Sequence, residues 1–572
     1  MKKITKLFQI ILLMTMLGNG WIAKAQTISP YFFGQNAWMP DTIGNANQCT
    51  DPPCILNGKL HKQWANIKAS GASIIRFGGI AADKNMPTNY QYVRMIDSIR
   101  VNGMEPMLQV PYRMNRYTPQ QAAAIVQYVN ITMGRHVKYW IIANEPDLGY
   151  SYSSASQIAA YFRPFASAMK AVDPSILIVG PELAWFNQTI MNGLTAPNGV
   201  DDITGMDAAG HTYCDIITFH TYPFNGSQTR DDLINSLTAP FKFKANLEYL
   251  NTRLAAANAA HGRSGSNTLK IAVTEANVSW QNNASENLYG NGTNSFIGGQ
   301  FWAEMMSIGM KNSLEFLNFW SVVEGNSISN NIGYVNPSDG MKKPTYYHFQ
   351  MLAQNFRGQY IDGTTNNTKV KAFGSKDGQQ ISVMIMNQEL AANLPYTIRL
   401  SSSAVTGTVA TKVNINAGLE IERTDTIQNQ TSVVLVFNSA GFLVKKITYS
   451  LAGQAAANLP PAVINYSLPS DSVATNPATG IEGAEDTKFS ARAYPNPCIG
   501  KLNLKLNNLR APERTIQVTL FNILGQEVYN TKQKVYNNKI DFDFAETFAA
   551  GAYILNVTEG TNKMTQKLIL EK

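Results

Sequence analysis

Short, predominantly apolar runs alternate with longer segments whose apolar positions recur every three to four residues over the first two thirds of this chain. The runs at 31–37, 73–77, 106–110, 137–143, 176–179, 216–220, 271–274 and 314–320 are rich in β-branched and aromatic residues and lack strict alternation, which predicts strands buried on both faces. Between them the periodic segments 91–101, 119–133, 155–172, 232–260 and 296–311 predict helices, and a last one fits 345–355. Thr118 before Pro119, and Ser154 or Ser156 before the run to Val172, are good helix starts. Strand and helix alternating in this way predict a (β/α)8 TIM barrel over residues 26–355, within the ~200 to >400 residues such barrels span. A doubly wound open sheet is the alternative, but no glycine-rich phosphate loop follows the first strand.

Beyond residue 355 the texture changes. Segments 370–373, 380–386, 396–400, 409–415 and 432–437 are short, alternating and separated by Gly, Asn and Ser turns, which predicts a β-sandwich domain over 356–451. Residues 452–488, rich in Ala, Pro, Asn, Ser and Gly, read as a flexible linker. Residues 489–572 form a further small β-rich unit, and no internal repeat is visible.

The leader changes the picture of where the protein works. Lys2, Lys3 and Lys6 precede an apolar run over 7–17, and Ala23-Lys24-Ala25 supplies small residues for cleavage. This is the pattern of a signal peptide over 1–25, too short in its apolar core for a membrane span. With no later stretch apolar enough to cross a bilayer, the expected mature protein is exported and soluble. The net charge of +8 is misleading. The leader carries four lysines and no acid, and residues 488–572 carry 12 basic against 7 acidic residues, which leaves 26–487 at −1. A near-neutral body has no electrostatic footprint for nucleic acid or an anionic membrane. Four cysteines exclude a disulfide-dense scaffold, although Cys49 and Cys54 are placed to staple one loop. Cys214 opens an apolar strand as a small core residue, and Cys498 stands alone in the tail. Neither these cysteines nor the six histidines have metal-ligand spacing, so no metal is called for.

The candidate chemistry lies at strand ends. The run 137–143 breaks into Asn144-Glu145-Pro146-Asp147, and 269–274 breaks into Glu275-Ala276-Asn277. A proline cannot continue the ladder, so Glu145 is set at the barrel mouth. Counting strands, Glu145 ends the fourth and Glu275 the seventh, across the mouth from one another. Two such carboxylates are what glycoside hydrolysis requires. Glu182 and Glu324, which end strands five and eight, are rival carboxylates in less clean motifs. Trp320 at strand eight, with Trp38, Trp185 and Trp280 beyond other strand ends, would suit the C–H faces of sugars.

Asn144-Glu145-Pro146 and Thr274-Glu275, with Arg76-Phe77-Gly78-Gly79 on strand two and His220-Thr221-Tyr222 on strand six, resemble clan A glycoside hydrolases over residues 30–450. The wording is most like families 44 (endoglucanases and xyloglucanases), 79 (glucuronidases) and 39. The resemblance implies a retaining enzyme needing no cofactor, with Glu145 as acid/base, Glu275 as nucleophile and Asn144 on the sugar 2-hydroxyl. Arg76 and Tyr222 would then support the Glu275 carboxylate, with His220 beside them and Trp320 against the sugar. The expected substrate is a plant or algal polysaccharide, cleaved in the manner of an endo-β-glucanase or xyloglucanase. Two alternatives stay open. One is an exo-acting glucuronidase with Arg113 and Arg116 as the extra basic groups; the other is a carbohydrate-binding surface protein on an inactive barrel.

The tail has its own signature. Tyr494-Pro495-Asn496-Pro497, Leu502-Asn503-Leu504, Val518-Thr519-Leu520-Phe521-Asn522, Gly525-Gln526-Glu527-Val528 and Gly551-Ala552-Tyr553-Ile554-Leu555 resemble the C-terminal sorting domain of type IX secretion. That implies handling by the type IX machinery, passage across the outer membrane, removal of the tail, and release or surface attachment. An ordinary β-sandwich binding module is the alternative reading of the same residues.

Overall fold

The computed structural model describes residues 26–37, 63–323 and 331–466, apart from 85, 113–115, 236–241, 283–286, 337–338 and 406, together with most of 490–571. The leader, Cys49 and Cys54, Trp38, Arg113, Glu324 and much of the expected linker lie outside the described residues.

Strands β1 (Phe33–Ala37), β2 (Ile74–Phe77), β3 (Glu105–Val110), β4 (Tyr139–Ile142), β5 (Leu177–Leu183), β6 (Ile216–Thr221), β7 (Lys270–Ala276) and β8 (Leu317–Phe319) form a closed barrel, with β8 returning to pair parallel with β1. The open-sheet alternative is thereby excluded. Period-two alternation decides what fills the barrel. Inward positions near the strand starts are apolar: Ile74, Met107, Tyr139, Ile141, Val179, Ile216 and Ala272 pack together. Two residues further along, the same inward face turns polar, with Arg76 after Ile74, Thr218 and His220 after Ile216, and Thr274 after Ala272. The intervening residues, such as Ile75, Trp140, Ile142 and Ile217, pack outward against the helices. One strand pattern therefore builds an oily floor and a polar mouth.

The long helices start where caps allow. Thr88, Thr118 and Ser154 each close a capping box with a glutamine three residues on, at Asn89–Val101, Pro119–Val126 and Ala155–Val172. The structure departs from the sequence reading in several places. The helix expected over 119–133 is α-helical only to Val126 and widens to a π-helix over Gln127–Thr132. There the Asn130 side chain donates to the Val137 carbonyl at 3.0 Å and to Asp173 Oδ2 at 2.7 Å. The helix expected over 232–260 is described as Arg230–Asn235 and Phe243–Ala260. Trp64–Ser70, Ile80–Lys84, Pro146–Gly149 and Gln188–Leu194 are helices too short to leave a period in the sequence.

After the barrel comes a sheet of nine strands. They are β9 (Gln359–Thr365), β10 (Val370–Lys376), β11 (Gln380–Asn387), β12 (Leu394–Arg399), β13 (Thr411–Ile415), β14 (Glu422–Ile427), β15 (Thr431–Asn438), β16 (Leu443–Ser450) and β17 (Ala462–Asn465), in the order β14-β12-β13-β9-β10-β11-β15-β16-β17. The sandwich is one hydrogen-bonded sheet whose halves close on a shared core that includes Val383, Ile385, Ile398, Val413 and Leu435. β17 comes from residues read in sequence as linker. The outer face of β10, β11, β15 and β16 is apolar too, with Phe373, Met384, Val434 and Tyr449 packed into the barrel's core. Phe296 and Tyr449 lie 5.3 Å apart, and His348 meets Ser432 Oγ at 2.8 Å, so this half of the sheet is buried on both faces.

Residues 477–572 form a separate compact unit. Its strands make one sheet of three and one of five, enclosing Leu502, Leu504, Val518, Leu555 and Leu568. Among the described residues no helix is long and apolar enough to cross a membrane.

Candidate active site

At the end of β4 the backbone leaves the strand through two left-handed residues, Ala143 at φ 68° and Glu145 at φ 45°. Such conformations are costly for side-chain-bearing residues and persist where the surroundings impose them. Here the Glu145 N–H donates to the Glu182 carbonyl at 2.9 Å, and Pro146 opens a short helical turn. Glu182, at φ 59°, sits in an irregularity of β5 between Gly180 and Leu183. The same left-handed backbone conformation thus recurs at two neighbouring glutamates. Glu275 enters from β7, where the register with β6 shifts between Phe219 and His220.

Arg76, wholly buried, ties these groups together. Its Nη1 donates to Glu275 Oε1 at 2.7 Å and to Asn36 Oδ1 at 2.9 Å. Its Nη2 donates to Asn144 Oδ1 and to Glu182 Oε2, each at 2.8 Å. His220 is the second buried cation. Its Nδ1 lies 3.0 Å from Glu145 Oε1 and 3.5 Å from Glu275 Oε2, and its Nε2 lies 3.2 Å from Glu182 Oε2. Burial alone would strip the proton from this imidazole, but Glu275, Glu145 and Glu182 together raise it to about 10. Glu182 goes the other way. Burial raises its carboxyl, and Arg76, His220 and Thr274 more than reverse this, drawing it down to about 2. Thr218 and Thr274 both donate to Glu182 Oε1, at 2.8 and 2.6 Å.

Glu275 accepts a further bond from Tyr222 Oη at 2.9 Å. Burial raises the Glu275 carboxyl, His220 and Arg76 pull it back, and Glu145 raises it again. On balance the Glu275 carboxyl stays above its ordinary value, because burial outweighs Arg76, His220 and the Tyr222 hydroxyl.

Glu145, His220 and Glu275 each offer a ligand atom within 4.8 Å of the other two, a spacing that a metal ion could use. The charges oppose it: His220 is itself cationic, and Arg76 is already on Glu275.

Above this network opens a cleft of about 730 Å³. Asn144, Glu145, Tyr222, Glu275 and Trp320 line it, whereas Arg76 and His220 lie buried beneath. Trp320 is only 7% exposed, while Trp185 and Trp280 on the rim are 48% and 55% exposed. Gly79, at φ 96°, lies so close under the Trp320 ring that a Cβ there would stand 2.7 Å from it. Glu182 does not line the cleft. Arg116 is exposed, stands over the Tyr117 ring and is also absent from the lining. The sequence reading missed Asn36, Thr218 and Thr274 as members of the network. Their one signal is inward parity with Arg76, His220 and the floor residues of their own strands.

Residues 492–571 match the family described as the secretion system C-terminal sorting domain. The chain thus carries a type IX sorting tail, which directs export to secretion or to the cell surface. It is 38% identical over 82 residues to an ulvan lyase of Nonlabens ulvanivorans, a match that spans 14% of this chain and 14% of that protein's length. Similar solved structures include a family 44 xyloglucanase from Paenibacillus polymyxa, at 13% identity over 73% of this chain and 98% of that one, with a TM-score of 0.49. A family 44 endoglucanase from Clostridium thermocellum matches at 14% identity over 72% of this chain and 97% of its own, TM-score 0.46. A bacterial orthologue of human α-L-iduronidase matches at 11% identity over 94% and 97%, TM-score 0.48. Likenesses this distant bear on neither the reaction nor the substrate.

Proposed function

We propose that this chain is an exported retaining glycoside hydrolase that cleaves β-glycosidic bonds in a neutral polysaccharide of the β-glucan or xyloglucan kind. The observation that carries the reading is the approach of the Glu145 and Glu275 carboxylates in a solvent-open cleft, where one oxygen of each lies within 4.8 Å of the other, a closeness compatible with a retaining pair. Retaining pairs stand ~5–5.5 Å apart, whereas inverting pairs need ~6.5–9.5 Å to admit a water.

In this reading Glu275 attacks the anomeric carbon as a carboxylate, while Glu145 gives its proton to the departing glycosidic oxygen. The glycosyl ester on Glu275 is then cleaved by water, whose proton returns to Glu145. Arg76 and Tyr222 stabilise the Glu275 anion before attack and as it leaves. Asn144 has its Oδ1 committed to Arg76, which leaves its amide N–H groups for the sugar 2-hydroxyl. Trp320 supplies an apolar floor, and Trp185 and Trp280 on the rim suit successive units of a long glycan. Among the described residues lining the cleft none is Lys or Arg, which favours neutral over uronic sugars.

The test is reducing-sugar release by the mature chain on β-glucans, xyloglucan, xylan, mannan, agars and glucuronate-bearing polymers, with Glu275→Ala alongside. The expected result is release on a neutral β-linked polymer, lost on the order of 10⁴-fold or more in the variant, with retained anomeric configuration in the first-formed product. Release undiminished in Glu275→Ala, or inverted product, overturns the mechanism. Binding without release on every polymer and aryl glycoside would make the chain a carbohydrate-binding protein.

A further inference from the structure

The geometry points to Glu182 as a positioning residue: its carboxylate holds Arg76 and His220 between the two cleft glutamates and balances their charge through both half-reactions. This rests on the hydrolase reading above and extends it to a residue that touches no substrate.

Counting buried charge makes the argument. In the resting state of a retaining enzyme one cleft carboxyl is an anion and the other is protonated. Against that single negative charge stand two cations, Arg76 and His220, each wholly buried. Without a third carboxylate the mouth would carry a net positive charge in a desolvated setting, which is relieved by loss of a proton from His220 or from the acid. Glu182 removes that excess. It meets Arg76 Nη2 at 2.8 Å and His220 Nε2 at 3.2 Å through the same oxygen, Oε2. Its other oxygen is taken by Thr218 and Thr274. With Glu182 ionised, the five groups sum to zero in the resting state. They sum to zero again in the glycosyl-enzyme, where Glu275 is a neutral ester and Glu145 a carboxylate. The network thus need not gain or lose charge between the two half-reactions.

Position excludes a direct role. Glu182 is 0% exposed and absent from the cleft lining, so it reaches the reaction only through Arg76 and His220. The groups facing His220 are Glu145 on the β4 turn, Glu182 on β5 and Glu275 on β7, with Asp147 acting at longer range. Arg76 shares two of those carboxylates. Of the three carboxyl groups in contact with His220, Glu182 alone has no assigned part in bond making.

The experiment compares the mature wild type with Glu182→Gln, which keeps the shape and removes the charge, and Glu182→Asp, which keeps the charge. Each is assayed for kcat and KM against pH on the hydrolysed polymer and on an aryl glycoside with a good leaving group. In parallel, nitrogen NMR follows His220 protonation in wild type and variants. The expected Glu182→Gln result is an alkaline limb of kcat/KM moved down by about one pH unit or more. Its kcat on the polymer should fall about tenfold or more at little change in KM, with a smaller loss on the aryl glycoside, which needs less acid assistance. Glu182→Asp should recover most of the limb. His220 should be protonated at neutral pH in wild type and lose its proton at lower pH in Glu182→Gln. An unmoved limb with only a lowered melting temperature overturns the inference and leaves the hydrolase reading intact. A neutral His220 in the wild type at pH 7 overturns it without any variant. No turnover by the wild type on any substrate instead sinks the hydrolase reading.

Discussion

Glu182 at the barrel mouth and Glu304, on the helix Phe296–Lys311 that faces the nine-stranded sheet, are both carboxylates largely withdrawn from water. Their titration is opposite. Glu182 is drawn down to about 2, while Glu304 is pushed up to about 7. Burial raises both; the partners decide the outcome. Glu182 has a guanidinium at 2.8 Å, an imidazolium at 3.2 Å and two hydroxyls. Glu304 has one ammonium, Lys371, at 3.6 Å, and its Oε2 meets no donor. The mouth is a place where charge is kept, and the seam between barrel and sheet is a place where charge is tolerated at a cost. What distinguishes them is the number of donors aimed at the oxygens.

The largest effect should come from breaking the mouth. Arg76→Met leaves Glu182 buried beside one cation and should cost about 3–5 kcal/mol in denaturant unfolding. A loss no greater than that of a seam variant would erase the contrast. Next comes pH. Because the folded-state carboxyl of Glu182 lies below its ordinary value, its contribution is present above about 4.5 and is lost as pH falls towards 2. Melting temperature followed over that range should fall in the wild type and fall less in Glu182→Gln. Glu304 carries the opposite sign. Its raised carboxyl contributes stability at low pH that is lost as pH rises from about 4.5 through 7. Glu304→Gln should therefore be more stable than wild type at pH 8, on the order of 1–2 kcal/mol, and no better at pH 4. The smallest change is Lys371→Met. Removing a partly exposed partner should raise the Glu304 carboxyl further and cost about 0.5–1 kcal/mol at pH 8, read by denaturant midpoint. A larger cost would mean that Lys371 anchors the seam itself.

The same contrast runs through what was legible in the sequence. Every barrel strand announced itself, because a strand covered by helices is apolar on its outward face and at its inward start, and 137–143 or 216–220 can be little else. Glu145 and Glu275 stood out for the complementary reason: a carboxylate that ends such a run has no apolar place to go. Glu182 also ended a run, and the sequence ranked it a lesser rival for catalysis. Nothing local distinguished a glutamate facing the cleft from one turned beneath it, since the difference is made by Arg76 on β2, His220 on β6 and Thr274 on β7. The helix over 119–133 misled for a related reason. Its apolar spacing is regular to Met133, and after Val126 the helix widens where Asn130 reaches Val137 seven residues on and Asp173, 43 residues away and outside any local window.

The amino-acid order by itself determined the alternation of strands and helices, the polar turn of the inward face after Ile74, Ile216 and Ala272, and the strand ends at which Glu145 and Glu275 sit. It also determined the export tail, whose motifs are local. Those features follow from burial and backbone chemistry that act over a few residues. Which carboxylate faces solvent, which stays ionised and which cation it shares were decided only when eight strands closed into one ring. Electrostatic energy inside a protein depends on distances between side chains far apart in the chain, and Arg76 and Glu275 are separated by 199 positions before the barrel brings them to 2.7 Å.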